Sequence, residues 1–144
     1  MRAIKAKHLL TILLTLTAIS MKAQTEINKV ESIIYQFAQS GDERDIEILE
    51  TTILHEEFRV TLNRLFGGEK LTTLSKSAYI QMIKDGKLGG DKRTVEILLL
   101  DIIKENAIAK VKLVGSKMTF TSHYLLVKNG EGQWQLLNDL PSPN

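Results

Sequence analysis

Beyond its first twenty residues the chain has two histidines, His55 and His123. His123 lies between Ser122 and Tyr124 in an alternating stretch, and Asp101 on the preceding hairpin is the carboxylate that could orient it as a general acid or base. The competing reading is a strand histidine facing water, with Asp101 solvated near a strand end; hydrogen-bond reach separates the two. His55, Glu56 and Glu57 are ligand-type residues in a row. Strand neighbours point to opposite faces, so at best His55 and Glu57 share a side, whereas a catalytic metal site commonly takes three protein ligands. No metal is assigned. Five aromatic residues, Tyr35, Phe58, Phe120, Tyr124 and Trp134, could wall a pocket for a flat ligand, with a few polar groups fixing its orientation. The same residues would serve as well as core. Gly67-Gly68 and Gly89-Gly90 lack a phosphate-loop pattern and read as loops. The chain has no cysteine, which excludes disulfides, thiolate zinc sites and cysteine nucleophiles. No cofactor is assigned.

These residues need elements to position them. Ile27, Val30, Ile33, Ile34, Phe37 and Ala38 fall on one face of a 3.6-residue period, predicting a helix over residues 26–40. Gly41 suits the left-handed residue after it, and Asp42 the cap of a second helix through Ile46, Leu49 and Ile53. Phe58, Val60 and Leu62 alternate with Arg59, Thr61 and Asn63, predicting a half-buried strand over residues 55–65. Gly67-Gly68 turns it into a short partner, residues 70–74. Ser75 caps a helix that turns Ala78, Tyr79, Met82 and Ile83 inward. Residues 93–104 are apolar on both sides: Val95, Ile97, Leu99 and Ile103 on one, Leu98, Leu100 and Ile102 on the other. That reads as a central, doubly covered strand, with Asp101 on the same inner side as Val95 and Leu99. Glu105-Asn106 turns into residues 107–114. Residues 117–128 and 133–140 form a last hairpin around Asn129-Gly130, and the tail after Leu140 is expected to fray. The order α-α-β-β-α-β-β-β-β separates early helices from late hairpins, an α+β rather than a βαβ pattern.

The chain has 144 residues, 43% hydrophobic and 25% charged, enough for one domain and too few for two. Its start is different in kind. Arg2, Lys5 and Lys7 precede an apolar run, Leu9 to Ser20, and Ala23 supplies a small residue, the pattern of a secretory signal peptide over residues 1–23. Twelve helical residues span about 18 Å, short of the roughly 30 Å hydrocarbon core, so a stable membrane anchor is not expected. Cleavage after Ala23 removes Arg2, Lys5, Lys7 and Lys22 and no acid. The 19 basic residues fall to 15 against 17 acidic ones, and a net charge of +2 becomes −2. Lys92-Arg93 is then the densest basic run, too little for a nucleic-acid partner. The expected location is secreted or periplasmic, with residues 24–144 as a single domain held by its core alone.

The segments "IIYQFAQSGD" (33–42), "LTTLSKSAYIQMI" (71–83), "AIAKVKL" (107–113) and "HYLLVKNGEGQWQLLN" (123–138) together resemble the nuclear transport factor 2-like superfamily, and within it the putative lumazine-binding family, which is similar to SnoaL-like polyketide cyclases. The resemblance covers nearly all of residues 26–140. It implies a cystatin-like α+β cone: a curved antiparallel sheet wrapped around N-terminal helices, enclosing a pocket and often dimeric through the outer sheet face. It implies no single activity. Ketosteroid isomerase, a relative by fold, uses a first-strand carboxylate with a protonated acid and a tyrosine. Here the first strand has no acid past Glu57, Ser122 and His123 stand where such enzymes tend to place one, and Tyr35 is one residue nearer the Gly-Asp than the tyrosine. Two of three roles are unfilled, so the reading leans away from an enzyme. Three functions follow. The first is an exported protein that binds a small planar or hydrophobic ligand. The second is a homodimeric interaction module with a filled cone and an apolar outer face built from Leu98, Leu100 and Ile102. The third is a SnoaL-like enzyme using His123 and Asp101 on a small hydrophobic substrate.

Overall fold

The structure, a computed structural model, describes residues 2–64 and 69–144, with side chains from residue 19 onward. The turn expected at Gly67-Gly68 lies outside the described residues. The elements in chain order are α1 (Arg2–Glu43), α2 (Ile46–Ile48) continuing into a wider π turn (Leu49–Ile53), β1 (Leu54–Asn63), β2 (Leu71–Ser75), α3 (Lys76–Lys84), β3 (Thr94–Ile103), β4 (Asn106–Val114), β5 (Thr119–Lys128) and β6 (Trp134–Pro143). The expected order is present, in an α+β arrangement.

The six strands form one sheet in the order β2-β1-β6-β5-β4-β3. It is mixed rather than wholly antiparallel, because β1 lies parallel to β6. The long excursion from β1 through α3 and three hairpins brings the last strand in beside the first. One face of the sheet is covered by α1, through Val30, Ile34, Phe37 and Ala38, and by α3, through Tyr79, Ile80 and Ile83. Burying these apolar faces is the main stabilising term. Ser75 caps α3 as expected, its hydroxyl accepting the Ala78 N–H at 3.3 Å.

Several local expectations are corrected. Helix α1 does not stop at Gly41. It runs to Glu43, and Arg44 takes the left-handed conformation at φ 56°. Asp45 N–H donates to Ser40 O and Arg44 N–H to Gly41 O, the paired bonds of a Schellman ending. Asp45, not Asp42, caps α2, its carboxylate accepting the Ile48 N–H. Gly41 serves approach instead of handedness: a Cβ there would stand 3.0 Å from Arg93 Nη2, and its carbonyl oxygen lies 2.2 Å from where a Cβ on Gly89 would be. The Arg44 guanidinium holds this contact by donating to the carbonyls of Gly86, Leu88 and Gly89.

Strand β3 is an edge strand, not a central one. A bulge between Ile97 and Leu99 exchanges its faces, so Val95, Ile97, Leu100 and Ile102 pack inward while Leu99, Asp101 and Ile103 are exposed. Its hairpin turns at Lys104-Glu105, with Lys104 at φ 58° and Ile103 paired to Asn106. The tail is strand, with Phe120 paired to Pro143 and the Asn144 N–H donating to Thr119 O. Alternate N–H groups share a direction, so Pro141 and Pro143 would point theirs away from β5. On that side pairing with β1 ends at Val60–Asp139, so neither proline breaks a ladder bond.

Candidate functional site

Strands β5 and β6 meet at the wide end of the cone. On β5 the alternation is regular: Ser122, Tyr124 and Leu126 point inward and His123 and Leu125 outward. On β6 it is not. Trp134 and Leu136 point inward, the register slips at Leu137, and the next inward residue is Asp139. A bulge re-aims a side chain in this way. Asp139 therefore faces the interior, directly across from Tyr124 and beside Val60 of β1.

These side chains border a cavity of about 170 Å³ whose lining includes Phe37, Tyr79, Arg93, Phe120, Ser122 and Asp139. Loop residues Leu88 and Gly89 form part of its rim. Two polar atoms at its wall, Ser122 Oγ and Asp139 Oδ1, and the OH of Tyr124, the residue paired with Asp139, are buried and make no hydrogen bond within the described chain. Such groups normally find a partner, and leaving one without costs about 1–3 kcal/mol. Burial pushes the Asp139 carboxyl up to about 7, against the opposing pull of the Ser122 hydroxyl and the Arg93 charge. Burial likewise pushes the Tyr79 and Tyr124 phenols up, and the nearby Asp139 charge adds to both. Asp139 can thus hold or release a proton near neutrality while both tyrosines remain neutral donors.

The rim carries an ion pair. Arg93 donates from Nε to Asp42 Oδ1 at 2.5 Å, from its backbone N–H to Asp42 Oδ2 at 2.8 Å, and from Nη2 to Ala38 O at 2.9 Å. Asp42 therefore ties α1 to the start of β3. Beneath the rim lies an aromatic cluster. Phe37 stacks on Tyr79 at 6.0 Å and meets the edge of Tyr124 at 5.6 Å, while Phe58 meets Tyr79 at 5.4 Å.

The five expected pocket aromatics separate. Phe120 lines the cavity, whereas Tyr124 is buried in the core with its ring at right angles to Phe37. Phe58 is packed in the core beneath. Tyr35 is 48% exposed on the outer side of α1, because it falls outside the apolar stripe of that helix. Trp134 is at the far end, where its Nε1 donates to Glu26 Oε2 at 2.9 Å under the Lys128 ammonium. His123 and Asp101 are both exposed on the outer face. His123 pairs with Lys110 and Asp101 with Ile108, so the two are separated by an intervening strand and are not brought together as a dyad. His55 Nδ1 accepts the Glu57 N–H at 3.1 Å, and Glu57 pairs with Arg59. Tyr79, Arg93 and Asp139 are the site residues that sequence reasoning missed. The signal for Asp139 was present: Leu136-Leu137 doubles an apolar position in an otherwise alternating strand.

Similarity to known proteins agrees with this architecture. The family described as "Putative lumazine-binding" matches residues 25–140. The chain belongs to this family. Solved structures similar to it include a nuclear transport factor 2-like protein of unknown function from Silicibacter pomeroyi, at 16% identity and TM-score 0.73, covering 85% of this chain and 98% of that one. Another, from Shewanella baltica, shows 18% identity and TM-score 0.70, covering 83% and 94%. At such identities the likeness shows the fold alone. A curated protein, the DExH-box ATP-dependent RNA helicase DExH9 of Arabidopsis thaliana, is 41% identical over 78 residues, which are 54% of this chain and 7% of that protein. The chain thus spans a small fraction of that relative, and its helicase activity is not carried over.

Proposed function

We propose that this member of the family binds a small flat or hydrophobic ligand in the cone cavity, through a hydrogen-bonding edge turned to Ser122 and Asp139. One observation carries the reading: two buried polar atoms without partners, Ser122 Oγ and Asp139 Oδ1, converge on one cavity lined by Phe37, Tyr79 and Phe120. A ligand offering donors and acceptors would relieve each of them. The size limits the class. Sites for drug-sized ligands run to about 300–1,000 Å³, whereas a cavity near 150 Å³ accepts a benzene ring. A single flat ring or a compact heterocycle suits about 170 Å³, in keeping with the family's description. Native mass spectrometry of the purified chain tests this. A mass excess lost on denaturation supports it, and a clean spectrum together with no thermal shift from small heterocycles refutes it.

The protein is further proposed to work outside the cytoplasm, after removal of residues 1–23. In support, residues 19–25 are exposed, and at Glu26 the helix meets the sheet through Trp134 and Lys128. Cleavage after Ala23 would leave every buried position of α1 among the described residues in place. Intact mass from an exporting host should correspond to a chain starting at Gln24.

A second reading, self-association through the outer sheet face, is favoured by a shallow depression of about 450 Å³ there. Leu99, Ile108, Leu125 and Leu140 line it and are exposed. The apolar stripe differs from the expected one, since Leu100 and Ile102 pack inward. Sedimentation of the wild type and Leu125→Glu should give a dimer and a monomer respectively.

A further inference from the structure

We propose that the cone cavity selects ligands carrying a positively charged nitrogen, a protonated amine, amidine or heterocyclic base, seated between the Asp139 carboxylate and the rings of Phe37 and Tyr79. This rests on the ligand-binding reading above and specifies its chemistry.

Charge accounting leads there. Among the residues lining the cavity, Arg93 and Asp139 are the charged ones. Arg93 is compensated: two of its donors go to Asp42 and a third to the Ala38 carbonyl. Asp139 is not, because it has no ion-pair partner among the described residues and its Oδ1 accepts no hydrogen bond. The groups near it on neighbouring elements are neutral hydroxyls, Ser122 and Tyr124 on β5 and Tyr79 on α3, and the Arg93 charge, which also acts on it but is already paired with Asp42. An anion entering here would meet an uncompensated carboxylate. A neutral ligand would satisfy hydrogen bonds while leaving Asp139 to take up a proton. A cation satisfies both, supplying the counter-charge and the N–H donor together.

The surrounding rings favour the same choice. Phe37 and Tyr79 line the cavity with their ring centres 6.0 Å apart, and aromatic rings attract a desolvated cation. Binding a cation would hold Asp139 ionised. At a pH where the free protein carries the proton, complex formation should release it.

The test uses three probes of one shape and different charge, benzylamine, benzyl alcohol and benzoate, titrated calorimetrically into the full chain. At pH 7.5 benzylamine should bind at least about tenfold tighter than benzyl alcohol, with benzoate weakest. At pH 6 its binding heat should vary with the ionisation enthalpy of the buffer, reporting proton release. Asp139→Asn, checked to melt no lower than the wild type, should bind benzylamine no tighter than benzyl alcohol. Equal or tighter binding of benzyl alcohol to the wild type overturns the charge selection while leaving the cavity reading standing. Failure of all three probes to bind overturns both.

Discussion

Replacing Asp139 by asparagine should stabilise the protein, and the gain should depend on pH with a defined sign. The ordinary carboxyl value is 3.8 and the folded one about 7. A carboxyl raised on folding binds its proton more tightly in the native state. Between those values the native state is the more protonated one, so stability falls as pH rises. Above about 7 the carboxylate is ionised in both states and the full penalty of its burial remains. That penalty, from 3.8 to about 7, is roughly 4 kcal/mol. Between pH 5 and pH 8 the part that develops is roughly 2–3 kcal/mol. Asparagine has nearly the same shape and no charge. Every other titrating group is shared, so the difference between the two proteins isolates Asp139. Urea unfolding at pH 5, 6, 7 and 8 is the assay. The variant's stability relative to wild type should rise by roughly 2–3 kcal/mol over that range and then level off. A difference that stays flat from pH 5 to pH 8 would refute the reasoning, because it would place the carboxyl of Asp139 in contact with water.

Other consequences follow from the same structure. Glu26 accepts from Trp134, Lys128 and Lys29, and these bonds hold its carboxyl down to about 2. Glu26→Gln should therefore cost about 1 kcal/mol at pH 7. Because the folded value is depressed, that advantage of the wild type is complete above about 4.5 and disappears as pH falls toward 2, followed by tryptophan fluorescence. Gly89→Ala demands a left-handed alanine whose Cβ would stand 2.2 Å from Gly41 O. It should destabilise by at least about 2 kcal/mol in thermal melts, whereas Gly130→Ala, with nothing within 4 Å, should change little. Phe37→Ala empties the centre of the aromatic cluster and should cost about 3–5 kcal/mol, read by urea unfolding.

Much of this molecule was legible in its residues. The apolar stripe from Val30 to Ala38, the alternation through Phe58 and Val60, the Ser75 cap and the late hairpins all follow from local periodicity and capping chemistry, which depend on near neighbours in the chain. Those signals establish the element order and the α+β class, and together with the quoted segments they carry the family resemblance. The position of β6 between β1 and β5 was not legible. Pairing the first strand with the last is a contact across the whole domain, and no local pattern encodes it.

The site lay on the wrong side of that divide. Alternation alone assigns faces correctly only while the register holds, and two bulges break it. The slip at Leu137 turns Asp139 inward, and the one between Ile97 and Leu99 turns Asp101 outward. The acidic residue expected inside is outside, and the one passed over is buried. Gly41 and Asp42 illustrate the same override: local chemistry offers them as a helix end and a cap, but the tertiary structure uses them for a close approach to Gly89 and an ion pair with Arg93. Sequence by itself determined which segments are helix or strand, because backbone propensity and apolar period are local properties, and its resemblance to a known family implied the cone. Only the tertiary structure decided which polar groups the cone encloses, because burial and the loss of solvent are properties of the packed whole.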